Sequence, residues 1–161
     1  MKATGIVRKI DNLGRIVIPK EIRATQKIEE GDSVEIKVAE NGDIIIKKYD
    51  VLGNNVEILR NVAKGISEIL KCNVIITDRE KVLKVFPETK ENIEFNINDN
   101  LLEVIEERRT YLTDNEIIVP IIVDAVTKGT IVIKSDSKKK LNELDSKVVE
   151  VASKLLEEVI S

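Results

Sequence analysis

The pattern of apolar and polar positions changes character near residue 50. Thr4–Ile10 is rich in β-branched residues and reads as a strand, and Arg15–Ile18 reads as a second. Asn12-Leu13-Gly14 between them is a turn, because glycine adopts positive φ at little steric cost. Pro19 suits a first helical position, where its missing N–H costs nothing, and Lys20–Lys27 continues as a short helix around Ile22. Glu30-Gly31-Asp32 turns the chain. Val34, Ile36 and Val38 then alternate with Glu35 and Lys37, the period-two pattern of a half-buried strand. Glu40-Asn41-Gly42-Asp43 carries the Asn-Gly signal of a tight hairpin, and Ile44–Lys48 is its returning strand. Roughly fifty residues of short strands with no large aromatic core bury too little surface to be stable alone. Pairing of two copies supplies the missing burial, so size alone leads us to expect a dimer.

From Leu52 the spacing becomes helical. Leu52, Val56, Leu59, Ala63, Ile66 and Leu70 form a heptad-like stripe, with Asn54-Asn55 placed to cap the helix. The stripe suits either a helix seam between subunits or a face packed on a sheet, and a helix doing both is favoured. Strands follow at Asn73–Thr77 and Val82–Phe86, joined by Asp78-Arg79-Glu80-Lys81. Pro87–Glu94 is polar and reads as loop. Asn98 or Asp99 caps a helix running through Arg108, with Leu101, Leu102 and Ile105 turned inward. A short strand near Tyr111–Leu112 precedes a hairpin of Ile117–Val123 and Gly129–Lys134, turning around Asp124–Lys128. Lys138–Ile160 is a long amphipathic helix with apolar residues Leu141, Leu144, Val148, Val151, Ala152, Leu155 and Val159. Val149 and Leu156 add a second apolar edge, a width that favours an additional contact such as a subunit interface. Hairpins with flanking helices indicate an α+β domain built on an antiparallel sheet. The expected domains are residues 1–50 and 51–161.

Charge sharpens this division. The chain carries 26 Lys+Arg against 29 Asp+Glu, a formal net of −3. Residues 1–27 nevertheless hold Lys2, Arg8, Lys9, Arg15, Lys20, Arg23 and Lys27 against Asp11 and Glu21, a local net of +5. Residues 28–50 hold three bases and seven acids, a net of −4. A basic end on an acidic chain raises nucleic acid as a partner, against the plainer reading of a solvated basic surface. The chain has no His and a single Cys, Cys72. That excludes Ser-His-Asp and Cys-His nucleophilic machinery, His-ligated zinc and an internal disulfide. Cys72 beside an apolar strand reads as a small core residue. The abundant helical acids read as solvated faces, and Gly31 and Gly42 as turn residues, since no Gly-rich nucleotide loop occurs. We therefore expect no enzyme, no catalytic residue, no metal and no cofactor. The longest apolar run, Ile117–Val123, is seven residues long and contains Pro120, too short to span a bilayer. Met1–Thr4 leads into charged sequence and not into a signal-peptide core, so a cytoplasmic protein is expected.

Residues Thr4-Gly5-Ile6-Val7-Arg8-Lys9-Ile10-Asp11-Asn12-Leu13-Gly14-Arg15-Ile16-Val17-Ile18-Pro19-Lys20-Glu21-Ile22-Arg23 form one near-contiguous motif. With Gly31-Asp32, Glu35-Ile36 and Ile44–Tyr49, it resembles the AbrB family of transition-state regulators. Val119–Val123 followed by Lys128–Ile133, with the flanking helices, looks like the late hairpin of a GAF domain. The whole layout resembles AbrB-family regulators that join the two. The resemblance implies a swapped-hairpin fold, in which two chains exchange hairpins to form one DNA-binding β-barrel dimer. It places the contacts to double-stranded DNA on Arg8, Lys9, Arg15 and Arg23. Guanidinium groups bind phosphates bidentately and read guanine edges, and Lys9 suits phosphate as a point charge. Family members commonly follow the last of these with a second Arg; here Ala24 stands there, one cation fewer per subunit.

Three functions compete on this basis. The first is a DNA-binding regulator of late sporulation genes, both activator and repressor, working as a homodimer or, through a second surface on the GAF-like domain, a homotetramer. The second is an antitoxin: MazE-type antitoxins share the N-terminal fold and neutralise a toxin through a C-terminal tail. The regular stripes after residue 51 argue for a folded domain in place of such a tail. The third is a sensor taking an unidentified small-molecule ligand at the C-terminal domain. The segment between Phe86 and Leu101 is short for GAF pocket walls, and no binding residue carries across by resemblance.

Overall fold

The computed structural model describes residues 5–88, 98–135 and 139–161, and the chain divides between Tyr49 and Asp50 into two units. In the first, α1 (Lys20–Thr25) precedes an antiparallel ribbon of β1 (Val34–Val38) and β2 (Ile44–Lys48). Pro19 stands one residue earlier than expected, as the N-cap, with its carbonyl accepting from Arg23 N–H. The ribbon pairs Ile36 with Ile46 and Val38 with Ile44, which sets these four apolar residues on one face, while Ile45 pairs with Lys37 on the other. The Asn41-Gly42 turn forms as expected, with Gly42 at φ 86° and Ala39 N–H bonded to Asp43 O at 2.8 Å.

The two strands expected before α1 differ. Thr4 lies outside the described residues, and within residues 5–18 only the turn closes, through Asp11 N–H to Arg15 O and Gly14 N–H to Asp11 O, both 3.0 Å. A strand requires a neighbour for its backbone groups, and this segment meets none among the described residues. Its apolar side chains stay exposed, Val7 at 87% and Val17 at 74%, and the ribbon face is equally bare, with Val38 at 73% and Ile44 at 68%. Among the described residues of this unit Pro19 alone is buried.

The second unit contains α2 (Val56–Leu70), β3 (Asn73–Asp78), β4 (Val82–Phe86), α3 (Asp99–Glu107), β5 (Tyr111–Leu112), β6 (Glu116–Val123), β7 (Val126–Lys134) and α4 (Glu143–Ile160). Its sheet is antiparallel throughout, in the order β4-β3-β7-β6-β5. Alternation sorts each central strand between two cores. Val74, Ile76, Ile117, Val119, Ile121, Ile131 and Ile133 pack against α2 and α4. Ile75, Ile118 and Val132 pack against Leu101, Val104 and Ile105 of α3. A sheet covered on both faces explains the uninterrupted apolar run in β6. Cys72 is buried, its thiol donating to Leu70 O.

Several local expectations shift. The α2 stripe is core, with Leu59, Ala63, Ile66 and Leu70 all buried. Asn55 occupies the N-cap but makes no side-chain cap; its Nδ2 donates to Val51 O at 2.7 Å. Asn98 does cap α3, accepting from Leu101 N–H at 2.9 Å, while Leu102 faces solvent and Val104 takes the inward position. The Pro87–Glu94 loop falls largely, and Lys138 wholly, outside the described residues. The last helix begins at Glu143, fixed by an Asn142–Asp145 capping box.

The face that α4 buries is the second apolar edge, Val149, Leu156 and Ile160, together with Ser153 and Glu157. Leu144, Val151, Leu155 and Val159 remain exposed. The polar pair decides this orientation. β5 pairs only with Ile117 and Ile118, which leaves the rest of the outer β6 edge without a strand neighbour. Ser153 Oγ donates to Pro120 O at 2.8 Å, and Glu157 Oε1 accepts from Ile122 N–H at 2.7 Å beside a bulge. Turning the other stripe inward would leave these backbone groups unsatisfied. Among the described residues, no helix is long and apolar enough to cross a membrane.

Gly129 marks the tightest approach in the sheet. A Cβ there would lie 2.0 Å from Thr77 O and 2.7 Å from Leu52 Cδ1. Gly129→Ala is expected to destabilise the second unit by about 1–3 kcal/mol or more, read as a lower midpoint in urea unfolding followed by circular dichroism. An unchanged midpoint would contradict this packing.

Candidate nucleic-acid interface

Arg8 is among the side chains that line the exposed apolar surface of the first unit. Ile6, Ile16, Ile18, Ile22, Ile28 and Ile46 line an open cleft of about 470 Å³, and Arg8 stands at its margin. Lys9 follows Arg8 in the extended segment, Arg15 leads out of the turn directly before Ile16, and Arg23 lies on α1 next to Ile22. Three short pieces of chain line the cleft, and Arg8, Lys9, Arg15 and Arg23 lie on or beside them in sequence.

The downstream acids do not neutralise them. Glu35 pairs with Lys37 at 2.9 Å and with Lys47 at 3.0 Å, and these contacts hold its carboxyl below the usual range. Asp32 pairs with Lys48 at 2.8 Å, and Lys48 Nζ also donates to Lys27 O at 2.9 Å. Lys9 and Arg23 have no ion pair among the described residues, and Arg8 makes only a long contact of 3.4 Å to the neighbouring Val7 carbonyl. The local excess of positive charge is thus available to an external anion.

Arg15 is the exception, and its partner is a residue that charge counting places only on the debit side. Asp11 Oδ1 accepts from Leu13 N–H at 2.9 Å and from Arg15 N–H at 2.8 Å, while Oδ2 accepts from Arg15 Nε at 2.8 Å. The Arg15 backbone N–H, followed by its side chain, holds the Asp11 carboxyl below the ordinary carboxylate range. Gly14 supports this arrangement at φ 77°, a conformation that closes the turn. The spacing of an Asp four residues before an Arg, across a glycine turn, is the signal that marks it. With Nε engaged, the two Nη groups form the end of the guanidinium that remains for a ligand.

The geometry suits phosphate and base-edge recognition: dispersed cations and one oriented fork. Comparison with known proteins agrees with the division into two units. Residues 7–52 match the family described as "Antidote-toxin recognition MazE, bacterial antitoxin", and residues 57–159 match "Stage V sporulation protein T C-terminal, transcription factor". Stage V sporulation protein T of Bacillus subtilis strain 168 is 33% identical over 172 residues, spanning 97% of this chain and 97% of that protein. The transition state regulatory protein AbrB of the same organism is 59% identical over 49 residues, 30% of this chain and 50% of AbrB. Among solved structures, the blue-light absorbing PixJ GAF domain of Thermosynechococcus elongatus shares the fold at a TM-score of 0.52. It aligns with 16% identity over 70% of this chain and 90% of that one, a likeness of fold alone. A full-length relative, two matching halves and a shared architecture together show that the chain belongs to the stage V sporulation protein T family of transcription factors, with an AbrB-type N-terminal domain and a GAF-like C-terminal domain.

Proposed function

We propose that two copies pair through residues 1–50 into one swapped-hairpin barrel, which binds double-stranded DNA through Arg8, Lys9, Arg15 and Arg23 of each copy. What supports this reading is an exposed apolar cleft lined in part by Arg8, on chain segments that also carry Lys9, Arg15 and Arg23. Burial of one exposed Val or Ile contributes about 1.5–3 kcal/mol, so filling the cleft with a partner's hairpin offsets the cost of ordering two short chains. Closure also brings together two sets of four cations on one rigid body. By analogy with its relatives, the protein acts in the cytoplasm on late sporulation genes, activating some and repressing others.

Residues 51–161 serve a second contact. Leu144, Val148, Val151 and Leu155 recur at spacings of four, three and four along α4, and all but Val148 are largely exposed. That spacing fits a seam between helices. A cleft of about 510 Å³ beside β6 is lined in part by Val151 and Leu155. We assign it to the same subunit contact and assign no small-molecule ligand to it. Two self-contacts on one chain permit a tetramer when each engages a different partner. The antitoxin reading draws on the match at residues 7–52. Against it, α2, α3 and α4 fold onto the sheet, and the described residues beyond Asp50 form no extended tail for a toxin to clasp.

Arg15→Ala is expected to weaken binding to duplex DNA in an anisotropy titration without lowering the thermal midpoint. Wild-type affinity for this variant would contradict the assignment. Eight phosphate contacts set an upper magnitude of about −7 for the slope of log affinity against log salt, and a slope near zero would remove the electrostatic mechanism. For the second contact, sedimentation should show a tetramer for the wild type and a dimer for Leu155→Asp. An unchanged mass would place the contact elsewhere.

A further inference from the structure

The Asp11–Arg15 pair has no obvious purpose in stability. Both side chains are exposed, at 38% and 72%, and an exposed ion pair contributes little to folding. It also sets a carboxylate on a surface whose other charged groups suit a polyanion. Its geometry is nevertheless more specific than a chance encounter of charges. One oxygen of Asp11 builds the turn by accepting two backbone N–H groups, and the other takes Arg15 by Nε alone. A single side chain thereby fixes both the path of the backbone under Arg15 and the direction of its guanidinium.

We propose that Asp11 is a positioning residue for sequence readout: it orients the Arg15 guanidinium so that the two Nη groups face a base edge in the major groove. This rests on the placement of Arg15 on the DNA face. Two physical consequences follow. Fixing the fork before contact removes part of the entropy lost when a flexible Arg docks on a guanine edge, a gain realised only where the edge presents matching acceptors. The carboxylate also offsets the charge of Arg15, which weakens indiscriminate attraction to phosphate. Asp11 shifts the contribution of Arg15 from charge towards geometry, so it raises discrimination at the expense of non-specific affinity.

The test uses the full chain and two duplexes: one selected by the wild-type protein from a random pool, and a scrambled duplex of equal length and composition. In Asp11→Asn, Oδ1 still accepts the Leu13 and Arg15 N–H groups, so the turn is kept. The amide nitrogen that replaces Oδ2 cannot accept from Nε. The ratio of selected to scrambled affinity should fall about fivefold or more, while scrambled-duplex affinity stays level or rises. Arg15→Lys keeps the charge and the turn but lacks the fork, so it should lose discrimination similarly. The double variant should show no further loss than either single change. A wild-type ratio in Asp11→Asn overturns the proposal, as does a loss that adds in full to that of Arg15→Lys. Should Asp11→Asn unfold, an undiminished ratio in Arg15→Lys overturns it equally. If Arg15→Ala binds both duplexes as the wild type does, the DNA-face assignment fails and the proposal with it; if Arg15→Ala weakens binding while Asp11→Asn keeps the ratio, the proposal fails alone.

Discussion

Unpaired backbone and uncovered apolar surface in the first fifty residues constrain the rest of the molecule. A strand is stable only when a neighbour satisfies its N–H and C=O groups, and an apolar face only when something covers it. Among the described residues, residues 5–18 have no strand neighbour and keep exposed apolar side chains, and the β1–β2 ribbon presents a bare apolar face. The same short segments carry the motif's cations. Completing the core and completing the basic surface are therefore one event in the proposed assembly. Among the described residues, the N-terminal unit of a single chain has no closed apolar interior.

The second unit solves its own folding problem and keeps one apolar stripe outside. Its sheet is covered on both faces, by α2 and α4 on one and α3 on the other. The outer edge of β6, a natural site for unwanted strand pairing, is closed in three ways. Pro120 has no N–H to offer, its carbonyl is taken by Ser153, and Ile122 N–H is taken by Glu157. These bonds anchor α4 and leave Leu144, Val151 and Leu155 facing outward. The exposed stripe is thus a consequence of satisfying the sheet edge, and it is well placed for self-association.

Much of this was legible in the sequence wherever the signal is local. The Asn41-Gly42 hairpin and the Asn98 cap depend on neighbouring residues, and each forms in place; β1 forms as a strand, but Val34, Ile36 and Val38 are exposed where the alternation predicts a half-buried face. Partners were not legible. The extended character of Ile6–Ile10 is readable, but nothing in its periodicity says that its neighbour is missing from the same chain. On α4 two apolar stripes compete, and the choice depends on hydrogen bonds to Pro120 and Ile122 that exist only once the β6 register is set. Charge segmentation locates the basic stretch of residues 1–27, and the family resemblance picks Arg8, Lys9, Arg15 and Arg23 out of it. It hides Asp11, which counts as one acid against the field until its two oxygens are seen to hold the turn and the Arg15 side chain.

The central claim is that the N-terminal fold closes only between two chains. Mixing isotope-labelled and unlabelled fragments of residues 1–50 and recording isotope-filtered NMR contacts tests it directly. The account predicts contacts between chains that join Ile16 or Ile18 of one copy to Ile36 or Ile46 of the other, in a species of dimeric mass. A monomeric fragment with dispersed signals and contacts only within each chain would contradict it.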